Sequence, residues 1–217
     1  MRIDYLGHAA FLVTTAAGQR LLFDPYESGG YDGRVAYGPI ETPCDAVIIT
    51  HDHKDHCYTA GLPQPFTIIR DAGVLPGVRV FSVSAFHDSE GGTRFGGSVD
   101  MKVVEADGLR LCHAGDLGEQ LSVGQKNALG PLDILIIPVG GYYTLDAAGA
   151  LAVVAELAPT VVIPCHFKTA RCGFDIAPVT PFLAQCSEIL RPGGSAWEVT
   201  PTSLPKATTC VYLEPRL

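Results

Sequence analysis

The sequence predicts a mixed α/β (α+β) chain in which strands dominate and helices come late, the pattern of stacked sheets covered by helices. Three observations carry that expectation. Short apolar or alternating runs of strand length fill the first half of the chain. An Asp107-Gly108 pair lies between two further strand-like runs, which is a hairpin signal. Helix-like patterning is confined to two segments beyond residue 145.

Residues 2–6, 10–14 and 20–24 read as strands, with a turn over 15–19 between the last two. Residues 26–44 are rich in Gly, Pro and Tyr and read as a long loop. Residues 46–50 form a buried strand, followed by strands at 67–70 and 78–86. Strands at 98–105 and 109–112 are joined through Ala106-Asp107-Gly108, and 133–139 is a fully apolar strand. Residues 146–157 are Ala-rich, capped by Asp146 and ended near Pro159, which predicts a helix. Residues 160–165 are a strand, and 179–190 a second helix with Pro181 in its first turn. A strand at 209–213 closes the pattern. There is no internal repeat and no linker-like shift in composition, so one domain over 1–217 is expected.

With 217 residues, 47% apolar and 18% charged, the chain is long and apolar enough for a folded core. A formal charge of −8 speaks against binding a nucleic-acid backbone, which normally requires a basic surface. It leaves a small anionic substrate open, because a metal ion can reverse the local charge. The longest apolar run, 134–139, is far shorter than the roughly 20 residues of a spanning helix. Asp4, Gly7 and His8 interrupt any apolar segment of signal-peptide type. A cytoplasmic chain, away from membranes, is expected. The seven cysteines are odd in number, irregular in spacing and free of Cys-x-x-Cys, as reduced thiols would be. Cys57, Cys112 and Cys165 each adjoin a histidine, which makes their exposure of interest.

The densest chemical signal is Thr50-His51-Asp52-His53-Lys54-Asp55-His56, directly after an apolar strand. So much imidazole and carboxylate is costly to bury unpaired. Imidazole nitrogen and carboxylate oxygen suit zinc, manganese or iron. His51 and His53 would project toward one ion, and Asp55 and His56 toward a second. His87, Asp116 and His166 each fall just past the end of another apolar strand. Strand ends set side by side make a rim of converging side chains, where α/β active sites lie.

This run resembles the His-x-His-x-Asp-His signature of the metallo-β-lactamase superfamily. His87, Asp116 after Gly115, and His166 after Pro164-Cys165 follow in that superfamily's order. Leu6-Gly7-His8-Ala9-Ala10-Phe11, Leu22-Phe23-Asp24-Pro25-Tyr26, His113-Ala114-Gly115-Asp116-Leu117-Gly118 and Ile137-Pro138-Val139-Gly140-Gly141-Tyr142-Tyr143-Thr144 are similar to compact hydrolases related to L-ascorbate-6-phosphate lactonase. The resemblance spans Tyr5 to about Lys168. It implies a four-layer αβ/βα sandwich with two divalent metal ions between the sheets. By the same resemblance His51, His53 and His87 hold one ion, Asp55, His56 and His166 the second, and Asp116 bridges them. Asp24 matches an acid that orients a ligand histidine, although a carboxylate before proline can also cap a turn.

Two adjacent ions lower the pKa of a bridging water and polarise a carbonyl or phosphoryl oxygen. No Gly-x-Ser-x-Gly elbow is present to supply a protein nucleophile. The expected reaction is hydrolysis of an ester, lactone, amide or phosphodiester in a small-molecule substrate. Asp55 is a candidate for proton transfer. His8 reads equally as a cleft residue or a structural hydrogen bonder, and His113 as a core histidine or a functional one. Tyr142 and Tyr143 follow a strand end, where one could donate to an oxyanion or both could simply pack. Arg94 and Lys168 flank metal ligands in sequence and are candidates for pairing with an anionic group. Zinc is the first expectation for the metal, with manganese and iron open, and a homo-oligomer is also left open. The competing classes are a nuclease, an iron-dependent redox member of the superfamily, and a non-catalytic metal-binding protein.

Overall fold

A computed structural model describes residues 1–95 and 97–217. The first half forms β1 (Arg2–Gly7), β2 (Ala10–Thr14), β3 (Arg20–Phe23), a single turn α1 (Gly30–Gly33), β4 (Ala46–Ile48), β5 (Thr67–Ile69), β6 (Gly73–Leu75), β7 (Val78–Phe86) and β8 (Ser98–Ala106). The second half forms β9 (Leu109–His113), α2 (Val123–Leu129), β10 (Ile134–Pro138), α3 (Ala147–Leu157), β11 (Val161–Cys165), α4 (Thr180–Leu183), β12 (Ile189–Leu190), β13 (Ala196–Glu198) and β14 (Thr209–Val211).

These strands build two mixed sheets. One has six strands in the order β13-β1-β2-β3-β4-β5, the other eight in the order β12-β14-β11-β10-β9-β8-β7-β6. Alternation along the first sheet divides its side chains between two cores. Ile3, Tyr5, Phe11, Val13, Leu21, Phe23, Ala46 and Ile48 join the core shared with the eight-stranded sheet. Leu6, Ala10, Leu12, Leu22, Val47 and Ile49 face the other way and pack with Tyr26, Val35, Tyr37 and Phe174. The outer layer there is built largely from the 26–44 segment and its one turn. On the other side, α3 buries Ala150 and Val153 in the shared core.

Strand direction explains the rim. β1 and β3 are both antiparallel to β2, and β4 is parallel to β3. β7 and β9 are both antiparallel to β8, and β10 and β11 run parallel to β9. The carboxyl ends of β1, β3 and β4 therefore lie on one side of their sheet, and those of β7, β9, β10 and β11 on one side of theirs.

The 107–108 turn forms as expected. Ala106 pairs with Leu109, and both Asp107 and Gly108 take positive φ, the two-residue turn that matches strand twist. Asp146 caps α3 through the Gly149 N–H at 2.8 Å. The helix expected over 179–190 is one turn only, α4. Beyond it the Glu188 carbonyl accepts from Cys210 N–H, and β12 pairs with β14, so sheet pairing outweighs local helix propensity. Helix α2 was not expected, although Ser122 and Gln125 spell its reciprocal capping box. Among the described residues no helix is long and apolar enough to cross a membrane.

Candidate metal centre

The histidine run begins where β4 ends and is folded back on itself by a hydrogen bond from His56 N–H to the His53 carbonyl. Asp24, at the end of β3, organises it. One Asp24 oxygen accepts the Thr50 N–H at 2.8 Å. The other accepts the Thr50 hydroxyl at 2.6 Å and the His56 Nδ1–H at 3.0 Å. Because the Thr50 hydroxyl gives its proton to Asp24, its oxygen accepts from His51 Nδ1, 2.9 Å away. Both imidazoles are thus protonated on Nδ1, and both present an Nε2 lone pair away from Asp24.

Those lone pairs converge on Asp116, carried just past β9. Its Oδ1 is 3.2 Å from His56 Nε2. Its Oδ2 is 3.1 Å from His87 Nε2, 3.5 Å from His166 Nε2 and 3.8 Å from His51 Nε2. Besides the cluster of Asp24, His51 and His56, two sets of donor atoms result. His51, His53, His87 and Asp116 form one, and His8, Asp55, His56 and His166 the other, each set within 4.8 Å of itself. Asp116 stands between them. Glycine at 115 permits this approach. Its φ is +55°, and a Cβ there would meet Thr50 Oγ1 and Val99 Cγ2 at 2.6 Å.

His51 Nε2 pairs with His53 Nδ1 at 3.1 Å, but most of these close approaches are not hydrogen bonds. Among the described residues, the buried side-chain atoms without a partner include His56 Nε2, both ring nitrogens of His87, Asp116 Oδ1, His166 Nδ1 and His8 Nδ1. Each unpaired buried polar atom costs on the order of 1–3 kcal/mol. Atoms of this kind aimed at common points are what a cation site needs. The protonation states largely agree. Burial, reinforced by repulsion from His56, holds His51 down to about 3, and burial holds His166 to about 3. Burial also lowers His53. Burial opposes ionisation of Asp116, but His166 and His56 outweigh it and hold the carboxyl well below its usual range. His56 and His87 move the other way. Burial disfavours their charge, but Asp116 outweighs it, so without a cation they share protons with that carboxylate. The donor set of neutral imidazole and carboxylate fits divalent metal.

The remaining sequence candidates fall into three groups. His8 is fully buried, with Nε2 2.9 Å from Asp55 Oδ2, so it holds Asp55 from behind. His113 is also fully buried and satisfied on both nitrogens: Nε2 meets the Ala9 carbonyl at 2.9 Å and Nδ1 accepts the Gly115 N–H at 3.0 Å. It therefore braces the turn that aims Asp116 and lies outside the cleft lining. Tyr143 lines the cleft over the donors, whereas Tyr142 is exposed beside it. Arg94 pairs with Glu90 at 4.0 Å and stacks on Phe95, and the Lys168 ammonium donates to the Phe174 carbonyl. Neither cation lines the cleft. Cys112 and Cys165 are buried, and burial pushes the Cys112 thiol up to about 12 and raises that of Cys165 well above its ordinary value. Cys57 is half-buried and belongs to neither donor set.

The cleft above the donors has a volume of about 210 Å³ and is walled by Tyr31, Arg34, Phe95, Tyr143 and Phe174. Apart from Tyr143 these residues escaped the sequence reading. The glycine-rich stretch Gly29-Gly30-Tyr31-Asp32-Gly33 was the available signal, because it bends the chain through left-handed φ at Tyr31 and Asp32. Burial, with the Asp55 carboxylate second, pushes the Tyr31 hydroxyl up to about 12, so it stays a donor.

Residues 2–166 match the model of the β-lactamase superfamily domain. A UPF0173 metal-dependent hydrolase of Opitutus terrae is 32% identical over 201 residues, covering 78% of this chain and 86% of that protein. This chain belongs to the metallo-β-lactamase superfamily, among the UPF0173 metal-dependent hydrolases. Another UPF0173 hydrolase, from Thermococcus kodakarensis, is 29% identical over 195 residues, covering 78% of this chain and 85% of that protein. The crystal structure of a Thermotoga maritima protein, described as a candidate Zn-dependent hydrolase of the metallo-β-lactamase superfamily, superposes with a TM-score of 0.78. It is 29% identical, with 98% of this chain and 99% of that one covered. The superfamily fold accounts for the two mixed sheets and the rim where their strand ends meet.

Proposed function

We propose that this member of the metallo-β-lactamase superfamily is a binuclear hydrolase of a small anionic substrate, acting on an ester, lactone, amide or phosphodiester bond in a cytoplasmic setting. The observation that carries this is the pair of donor sets sharing Asp116, with their buried atoms unpaired. His51, His53 and His87 would hold one ion, Asp55, His56 and His166 the other, and Asp116 both. Zinc suits the imidazole-rich set, while the shared carboxylates leave manganese or iron open. Two ions there would supply Lewis acidity to a carbonyl or phosphoryl oxygen and lower the pKa of water.

The chain's own residues supply the rest. Asp24 and Thr50 fix the tautomers of His56 and His51. Burial opposes the ionised form of Asp55, but His56 and His8 outweigh it and keep this cleft-lining carboxylate charged. With Oδ2 held by His8, Asp55 Oδ1 is the oxygen left for an ion or for a proton in transit. Tyr31 and Tyr143 project hydroxyl-bearing rings into the cleft, where a hydroxyl can donate to an oxygen gaining negative charge.

A screen of metal-loaded protein against lactones, phosphodiesters, β-lactams and thioesters tests this reading. Turnover should disappear with a chelator and return with added metal. Turnover that survives complete chelation would contradict it.

A further inference from the structure

Resting on the hydrolase reading above, we infer that Arg34 is the anion-binding residue of the cleft and that the rings beside it form a slot, so that the substrate joins a carboxylate or similar anion to a flat apolar body. Arg34 is the sole Arg or Lys among the described residues that wall the cleft. Its side chain makes no ion pair and no hydrogen bond to any described residue. Other arginines bordering the functional face are occupied: Arg94 by Glu90 and Phe95, and Arg70 by Asp52. Arg34 is exposed at the cleft mouth, so its guanidinium is open to an anion that enters there. Two divalent cations would already outweigh Asp55 and Asp116, so Arg34 adds to a positive excess within a chain of net charge −8. The planar guanidinium suits bidentate pairing with a carboxylate or phosphate.

Backbone contacts fix the point from which this side chain leaves the main chain. On one side, Ala36 N–H bonds to the Arg171 carbonyl at 2.9 Å, and Val35 bridges to Cys172. On the other, Gly173 N–H donates to the Arg34 carbonyl at 2.6 Å. That approach requires glycine at 173, since a Cβ there would lie 2.8 Å from Arg34 Cα. Arg34 is thus clamped to the segment that leaves His166, in a fixed relation to the donor set.

The apolar part of the slot is a run of rings. Tyr31 meets Phe174 edge-on at 5.3 Å, Phe174 meets Tyr143 at 6.0 Å, and Tyr143 meets Phe95 at 5.3 Å. A flat ligand fits such a wall by stacking or edge contact. The cleft's volume of about 210 Å³ exceeds the roughly 150 Å³ known to admit benzene, leaving room for one ring and a hydrolysable group. Hydrolysis of an ester of this class consumes one water and yields an acid and an alcohol, with the anionic end unchanged.

Three methyl esters test this with wild type, Arg34→Gln and Arg34→Lys: methyl 4-carboxybenzoate, its neutral counterpart methyl 4-carbamoylbenzoate, and the aliphatic monomethyl succinate. Binding of 4-carbamoylbenzoate to the metal-loaded protein is measured in parallel by calorimetry. Wild type should prefer the carboxylated aryl ester in kcat/KM over both others. Arg34→Gln should cut its preference over the neutral ester about 10- to 100-fold, mostly through KM, and weaken 4-carbamoylbenzoate binding by a similar factor. Arg34→Lys should restore part of each. An undiminished preference together with undiminished binding in Arg34→Gln overturns the role of Arg34. Equal wild-type kcat/KM for the aryl and succinate esters overturns the slot. If wild type cleaves none of the esters, the hydrolase reading fails for this bond, while the calorimetry still decides the Arg34 assignment by itself.

Discussion

Asp116 Oδ1 and His56 Nε2 lie 3.2 Å apart in the interior, with no further group among the described residues to satisfy either. His56 cannot turn its lone pair elsewhere, because Asp24 holds the opposite ring nitrogen. A lone pair and a carboxylate oxygen fixed beside each other repel unless positive charge is shared between them. On this account Asp116→Asn, which keeps the shape and loses the charge, lowers turnover more than His8→Gln or His113→Gln does. The expected loss is at least about 100-fold, the upper end for residues one step removed from a metal. Kinetics and metal content of the three variants, with folding checked by circular dichroism, decide it. A folded Asp116→Asn protein with normal turnover would be incompatible with a bridging role.

Asp24 touches no substrate in this scheme, yet it sets two tautomers, directly for His56 and through Thr50 for His51. Asp24→Asn presents an N–H₂ where one of these protons is now accepted. Metal affinity should fall about 10- to 100-fold, the usual cost of losing such support. Competition with a chromophoric chelator measures it, and unchanged affinity would show that ring orientation is set elsewhere.

Gly115→Ala should weaken the site by geometry alone. The added Cβ collides with Thr50 and Val99 at a positive φ. The cost expected for such overpacking is about 1–3 kcal/mol, or several degrees in Tm for a chain of this size. Thermal melts with and without metal should show a smaller metal-induced rise than in wild type, because both Thr50 and Asp116 are displaced.

His113 gives a pH signature. Burial is the main cause that lowers it below the ordinary value of 6.5, and both nitrogens are already paired in the neutral form. Above pH 6.5 folded and unfolded chains both carry it neutral. Below that pH the unfolded chain takes up a proton that the folded chain refuses, so stability is lost as pH falls toward the folded pKa. His113→Gln should be less stable than wild type at pH 7.5 by about 1–3 kcal/mol. The gap should narrow between pH 6.5 and 5.5. Melts across that range test it, and parallel curves would contradict it.

Much of this was legible in sequence because strand-end residues report their own position. The apolar run 46–49 followed, after Thr50, by His51 leaves few places for the histidines to go, and His87, Asp116 and His166 repeat that arrangement. What stayed hidden depends on contacts distant in sequence. His8 reaches Asp55 across 47 residues, and His113 reaches Ala9 across 104. Arg34 lies in a segment with neither periodicity nor motif, and only its clamping by 171–173 brings it to the cleft. The 179–190 helix failed for the same reason, since β14 recruits 189–190 into the sheet.

The proposed centre holds two ions joined through Asp116. Elemental analysis of protein reloaded with zinc and freed of excess metal tests it most directly. Wild type should hold close to two ions per chain, falling to one or fewer in folded Asp116→Ala. A wild-type content that never exceeds one, or an Asp116→Ala protein that retains two tightly bound ions, would contradict it.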